Sequence, residues 1–245
     1  MEASEYRAMF AVEDTHFWYR ALHGHVLTLL EKFAPDAAEI LDAGCGTGGF
    51  AARLTEAGKI VTALDLRDEA LACCRERGLA SLMQGSVNDL PFGGDSFDAV
   101  LSLDVWYHRA VDDEKAAREA ARVVRPGGIV LVNLPACDWL RGQHDVVVHT
   151  ARRYNKKSLR KLFTDAKLTP LYLTHWNTAL FPLLAARRLA SRRAAPSEKS
   201  DVAPVPEWQN AALFRLLEAE RRVFLKSPLP YGLSVLGVAR KEAER

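Results

Sequence analysis

The run Ile40-Leu41-Asp42-Ala43-Gly44-Cys45-Gly46-Thr47-Gly48-Gly49-Phe50 constrains the fold more than any other stretch of the chain. A short apolar segment feeds directly into a glycine-rich turn and then into helix formers, and a ligand can approach such a backbone closely. Apolar runs recur at residues 59–65, 80–84, 98–103 and 129–134, with helix-forming residues between them at 49–57, 68–77 and 113–124. Pro126-Gly127-Gly128 is expected to stop the last of these helices. This alternation predicts a doubly wound α/β fold, a Rossmann-like parallel sheet with right-handed crossovers. Two more strand-like segments, 169–176 and 232–240, lie beyond it. Ahead of it, Phe17, Leu22, Val26, Leu29, Leu30 and Phe33 repeat at helical spacing, so an amphipathic N-terminal helix is expected from Thr15 to about Phe33. The 245 residues read as one domain: a helical cap over 1–37, a core over 38–177 and 230–241, and a helical insertion or lid over 178–229, before the last strand.

Two nucleotide patterns overlap in the glycine turn. Gly44, Gly46 and Gly48 form GxGxG, while Gly44, Gly46 and Gly49 form the dinucleotide pattern GxGxxG. Spacing leaves both open, and charge separates them. A dinucleotide places a pyrophosphate at the helix N-terminus, where Asp42 at the strand tip would oppose it. S-adenosylmethionine (SAM) instead carries a sulfonium and an ammonium, for which a carboxylate is a favourable partner. Asp65 ends the second apolar run about 20 residues beyond the first glycines, the separation at which an acid accepts hydrogen bonds from ribose hydroxyls. Asp68 is expected to cap the helix that follows.

These elements, with GSVNDLPFGGDSFDAVLSLDV and EAARVVRPGGIVLVNLP in order, resemble a class I SAM-dependent methyltransferase over about residues 38–136. The resemblance implies a seven-stranded sheet whose last strand is antiparallel. It also implies that Gly44, Cys45 and Gly46 line the methionine side of SAM, that Asp65 binds the ribose, and that Leu66 touches the adenine. Gly48 belongs to the same loop, and Leu103 at the end of the fourth strand is expected to pack against the cofactor; Asp104 beside it could equally begin a helix. Ser86-Val87 stands where many relatives have Asp-Ala, so a hydroxyl or backbone groups would replace the usual carboxylate contact to adenine.

SAM carries its own leaving group, so the chain's main tasks are alignment and exclusion of water. A base near neutral pKa would help a hydroxyl, phenol or acidic carbon, which makes His108, His144 and His149 the catalytic candidates. Trp106 lies next to His108 at the rim beyond the fourth strand. Trp139, Arg152 and Tyr154 fall in the loop with His144 and His149. The cluster His16, Trp18, Tyr19 and Arg20 could fold over the cofactor as a wall of the substrate pocket. Structural alternatives stand beside these readings: Arg152 pairing with a helix acid, Tyr154 capping the core, the N-terminal cluster packing on the sheet. His23 and His25 are expected on the helix surface and His175 in a strand, and no ligand spacing supports a metal.

Thirty-three basic residues against thirty-one acidic ones leave a net charge of +2, which gives no electrostatic footprint for nucleic acid. No apolar run reaches the roughly 18 residues of a membrane span, and the N-terminus does not read as a leader, so a cytoplasmic protein with reduced thiols is expected. The insertion reads as a lid or dimer interface ahead of peripheral membrane contact, in a monomer or homodimer. The function expected is methyl transfer from SAM to oxygen, nitrogen or carbon of a small molecule, such as a natural product. A macromolecular or lipid acceptor, an NAD-dependent oxidoreductase and a non-catalytic SAM-binding protein are the alternatives.

Overall fold

A computed structural model describes residues 3–137, 151–182 and 205–243. Trp139, His144, His149 and residues 183–204 of the expected insertion lie outside the described residues. The chain begins with two helices, α1 (Ala3–Val12) and α2 (Phe17–Phe33). The core follows as β1 (Glu39–Ala43), α3 (Gly49–Glu56), β2 (Ile60–Asp65), α4 (Asp68–Glu76), β3 (Leu82–Gln84), β4 (Phe97–Leu103), α5 (Asp113–Val123) and β5 (Val124–Pro135). It closes with α6 (Lys156–Asp165), β6 (Leu168–Trp176), α7 (Glu207–Phe224) and β7 (Ser234–Lys241).

The strands form one seven-stranded sheet in the order β3-β2-β1-β4-β5-β7-β6. The first five are parallel, and β7 runs antiparallel to both β5 and β6. Strands buried on both faces need apolar residues at odd and even positions alike, which is why they read as continuous apolar runs. In β1, Leu41 faces α5 and α6 on one side while Ile40 faces α2, α3 and α7 on the other. The parallel strands therefore end along one edge, where ligands of open α/β sheets bind.

The N-terminal cap departs from expectation in two respects. It consists of two helices, the second starting at Phe17, where His16 accepts a hydrogen bond from the Trp18 amide as N-cap (3.3 Å). His23 and His25 are buried rather than on the surface, because α2 is covered on one side by the sheet and on another by α7. His25 sits between the rings of Trp176 and Phe224, 4.9 and 4.8 Å away, and burial holds its pKa down near 3. Near Pro126 the expected stop is immediate. Helix α5, capped by Asp112, gives way at Val124 to a strand that pairs with Phe97, shifts register, and resumes at Ile129 opposite Ala99.

Candidate cofactor and acceptor site

The glycine loop is held to the tip of β2 by backbone bonds: the amides of Gly44 and Cys45 both donate to the Leu64 carbonyl, at 2.7 and 2.9 Å. Gly44, Gly46 and Gly48 all have positive φ, at 91°, 56° and 78°. At Gly44 the requirement is double, since a Cβ there would stand 3.0 Å from Val105 Cγ1 and nearer still to Cγ2. The Asp65 carboxylate accepts from the Gly46 amide (3.0 Å) and the Arg67 amide (2.9 Å), so it joins the loop to the turn before α4. Helix α4 starts with Arg67 rather than Asp68 at the cap position, Asp68 being its first residue.

Three carboxylates gather here. Asp42 is buried at the end of β1, and burial, reinforced by Glu13 and Asp65, pushes its pKa up to about 7. Glu13 and Asp65 are also raised, burial being the main cause for each. A cation entering this cluster is stabilised, and a pyrophosphate is opposed. The dinucleotide alternative meets a second obstacle. The N-terminus of α3 already holds an anion from the chain itself: Glu13 Oε2 accepts from the Gly49 amide (3.1 Å), from the Thr47 hydroxyl and from Arg77 Nη2 (3.1 Å). No sequence motif marks Glu13. Helix α1 places it there and sets Met9 over the loop, the Met9 methyl lying 3.0 Å from where a Gly46 Cβ would be.

Leu66 is exposed and Leu103 half-buried at the strand ends expected for them, while Val87 is buried in the core and the Ser86 hydroxyl accepts from the Asn88 amide (3.2 Å). Cys45 lies under the loop with its Sγ 3.7 Å from that of Cys74.

Past β4 the arrangement centres on Asp104, which begins no helix. Its φ is 58°, a left-handed conformation that non-glycine residues adopt sparingly and often at functional sites. The Asp104 amide donates to the Asn133 carbonyl (2.9 Å), and Asn133 Nδ2 donates to Asp104 Oδ2 (2.8 Å). Asn133 Oδ1 in turn accepts from Trp176 Nε1 (2.7 Å). An indole N–H only donates, so this bond fixes the amide orientation and aims the Asn133 N–H at Asp104. Burial lifts the Asp104 pKa to about 7 against the lowering effect of Asn133. The negative charges of Glu13 and Asp104 both act on the Tyr19 hydroxyl, whose pKa burial already raises. Trp18 packs on Tyr19 at 5.0 Å and on Trp176 at 5.7 Å. Tyr19, Trp18, Asp104, Asn133 and Trp176 thus converge at the ends of β4, β5 and β6.

Other expected site residues are engaged elsewhere. Arg20 lies over the Phe214 ring of α7 at 4.0 Å. Arg152 pairs with Asp113 of α5, and the buried Tyr154 donates to Asp113 Oδ2 (2.7 Å) and to the Trp106 carbonyl (3.2 Å). Trp106 is buried in the core beneath them, and the groove lined by residues 109–114 and Arg152 lies in this region rather than at the glycine loop. His108 is half-buried, its ring 4.3 Å from that of Tyr107. Nothing in the sequence marks Asn133 and Trp176, because each lies in an ordinary strand-like run. Among the described residues no cluster of His, Cys, Asp or Glu could hold a metal, and no helix is long and apolar enough to cross a membrane.

Fold and loop together define a Rossmann-like domain built for a cation-bearing nucleoside cofactor. Residues 41–132 match the family model described as a methyltransferase domain. A malonyl-[acyl-carrier protein] O-methyltransferase from Erwinia pyrifoliae is 43% identical over 106 residues, 42% of this chain and 40% of that protein. A tRNA (carboxymethyluridine(34)-5-O)-methyltransferase from Arabidopsis thaliana is 32% identical over 127 residues, 51% of this chain and 30% of that protein. The chain thus spans less than half the length of these curated relatives. The crystal structure of a SAM-dependent methyltransferase from Thermotoga maritima shares the fold, with a TM-score of 0.60 at 21% identity over 98% of this chain and 95% of that one. Residues 41–132 thus carry a SAM-dependent methyltransferase domain, with SAM as its cofactor.

The acid cluster fits that cofactor, and Asp65 is the residue to test. Replacing Asp65 with alanine should weaken SAM binding roughly 10- to 100-fold, the equivalent of hydrogen bonds to a charged group. Calorimetric titration of a folded variant with unchanged affinity would reject the ribose assignment.

Proposed function

We propose that the chain transfers the methyl group of SAM to oxygen, nitrogen or carbon of a small-molecule acceptor, and that Asp104 receives the acceptor's proton. The observation that carries this reading is the Asp104–Asn133–Trp176 chain of hydrogen bonds at the edge where β4 and β5 end. SAM supplies the activated methyl group; the chain supplies position, a water-poor wall and a proton acceptor. Asn133 holds one oxygen of Asp104, and among the described residues no donor is placed on Oδ1, which leaves that oxygen for an acceptor O–H or N–H. The half-buried rings of Trp18 and Tyr19 offer apolar surface around it, suited to a compact organic molecule. The near-balanced charge supports a small acceptor over nucleic acid.

The first test is calorimetric titration of the chain with SAM, S-adenosylhomocysteine and NAD; selective NAD binding would sink the reading. An acceptor screen follows, and Asp104→Asn is the informative variant, because asparagine tolerates the left-handed backbone. Its turnover should fall about 10²- to 10³-fold, with SAM affinity within about threefold of wild type. The base acts only when deprotonated, so wild-type turnover should rise with pH through about 7 and level off above it. That rise should vanish in the variant. Full turnover with an unchanged profile would remove Asp104 from the mechanism and return His108 to it, so His108→Ala is assayed in parallel.

A further inference from the structure

The contacts of Glu13 exceed what tying down a helix requires. Three donors from separate parts of the chain converge on its Oε2: the Thr47 hydroxyl, the Gly49 amide at the start of α3, and Arg77 Nη2 from the end of α4. Arg77 is itself fully committed. Its Nε donates to the Thr47 carbonyl (2.8 Å), its Nη1 holds both oxygens of Asp14 (2.9 and 2.7 Å), and its guanidinium lies over the Phe10 ring at 4.6 Å. On the other side, His23 Nε2 is 3.9 Å from Glu13 Oε1. A backbone amide at a helix start, a hydroxyl and a guanidinium are the donor set that elsewhere receives a phosphate. Here the set is filled from within, by a carboxylate that is only 5% exposed.

Gly49 shows how closely the two fit. A Cβ on Gly49 would stand 2.7 Å from Glu13 Oε1 and closer to the other carboxyl atoms, so the glycine that completes the dinucleotide pattern makes room for the chain's own anion. Glu13 lies directly after α1, and the same helix lays Met9 against Gly46 and buries Tyr6 against Ala70 and Cys73 of α4. The carboxylate therefore joins three things: α1, the glycine loop and α4.

We propose that Glu13 is a specificity-determining residue for the cofactor: a built-in anion that completes the glycine loop, denies the start of α3 to phosphate, and holds the loop in the shape that receives SAM. The proposal rests on the SAM reading of the loop, yet part of its test needs no SAM. Removing the side chain should leave an empty anion position lined by Thr47, Gly49 and Arg77, which an anion from solution can fill.

The experiment is calorimetric titration of the full chain, wild type and Glu13→Ala, with SAM and separately with inorganic pyrophosphate, each with and without tens of millimolar sodium acetate. SAM affinity of the variant should fall at least about tenfold and recover when acetate is present. Pyrophosphate, inert toward the wild type, should bind the variant and be displaced by acetate. Unaltered SAM affinity, a loss that acetate does not restore, or no pyrophosphate binding by the variant each overturns the proposal. A wild type that binds no SAM overturns the cofactor reading instead, and the pyrophosphate and acetate titrations still decide the anion position. Should the alanine variant fail to fold, Glu13→Gln keeps the shape and one acceptor oxygen while removing the charge. It should lose about threefold in SAM affinity at an unchanged melting temperature, and equal affinity overturns the proposal.

Discussion

Gly44→Ala should lower SAM affinity by about 100-fold while leaving a folded protein. Two penalties add at this position. An L-residue forced to the left-handed side costs roughly 1–2 kcal/mol, and Gly44 sits at φ 91°. The new methyl group also overlaps the Val105 side chain, a crowding worth roughly 1–3 kcal/mol. The loop can relieve both by swinging away from Val105, but the swing breaks the register in which the Gly44 and Cys45 amides meet the Leu64 carbonyl. A shift that suits the methyl group therefore spoils the cofactor seat, and at about 1.4 kcal/mol per decade the sum reaches two decades. Gly127→Ala is the matched control. Its φ of 83° imposes a similar backbone penalty, but nothing lies within 4 Å of the added carbon and the turn is remote from the loop. Calorimetry should find SAM affinity unchanged in the control and strongly reduced in Gly44→Ala; affinities within threefold of each other would show that the loop does not carry the cofactor.

The largest loss of stability is expected from Trp176→Ala, about 3–5 kcal/mol. Trp176 is completely buried, its ring packs against Trp18 and His25, and its N–H satisfies Asn133 inside the sheet. Removing it opens a cavity where α2 meets β6 and strands the Asn133 carbonyl oxygen, which adds to the transfer term. For a chain of this size the melting temperature should drop by roughly 6–20 °C, read by scanning calorimetry. Trp176→Phe separates the two causes, since it refills most of the volume but restores no donor. A melting temperature for the phenylalanine variant as low as that of the alanine variant would assign the loss to the hydrogen bond, and full recovery would assign it to packing.

How much of this was legible in the sequence follows from where the determinants lie. The central parallel strands were readable because strands covered on both faces are largely apolar, as in Ile129–Leu134 with Asn133 as its one polar residue, and the glycine loop was readable because its constraint is local. The N-terminal cap was misjudged for the opposite reason. Periodicity along α2 marks Leu22, Val26, Leu29 and Leu30, but His25 is buried against Phe224 of α7 and His23 against Phe50 of α3 and Glu13, partners whose arrival no local pattern announces. Asp104 looked like one polar residue after a strand. What distinguishes it, a left-handed backbone and a bond from Asn133 on the neighbouring strand, exists only once the sheet is assembled. Glu13 is the same case across the gap between α1 and α3.

The contact between α2 and α7 also orders events during synthesis. The Phe17 amide donates to Asn210 Oδ1 (2.7 Å) across 193 residues, the Asn210 amide returns a bond to the Thr15 carbonyl (2.8 Å), and Arg221 reaches the Thr28 hydroxyl (2.6 Å). At about 5–20 residues per second, a ribosome needs on the order of 10–40 s between making one partner and the other. Over that interval β1 to β5 can pair along consecutive stretches of chain, whereas the α7-facing side of α2, His25 included, has nothing to cover it. That side of the cap therefore closes only once α7 has been made, and until then the nascent chain carries a partly uncovered apolar helix face.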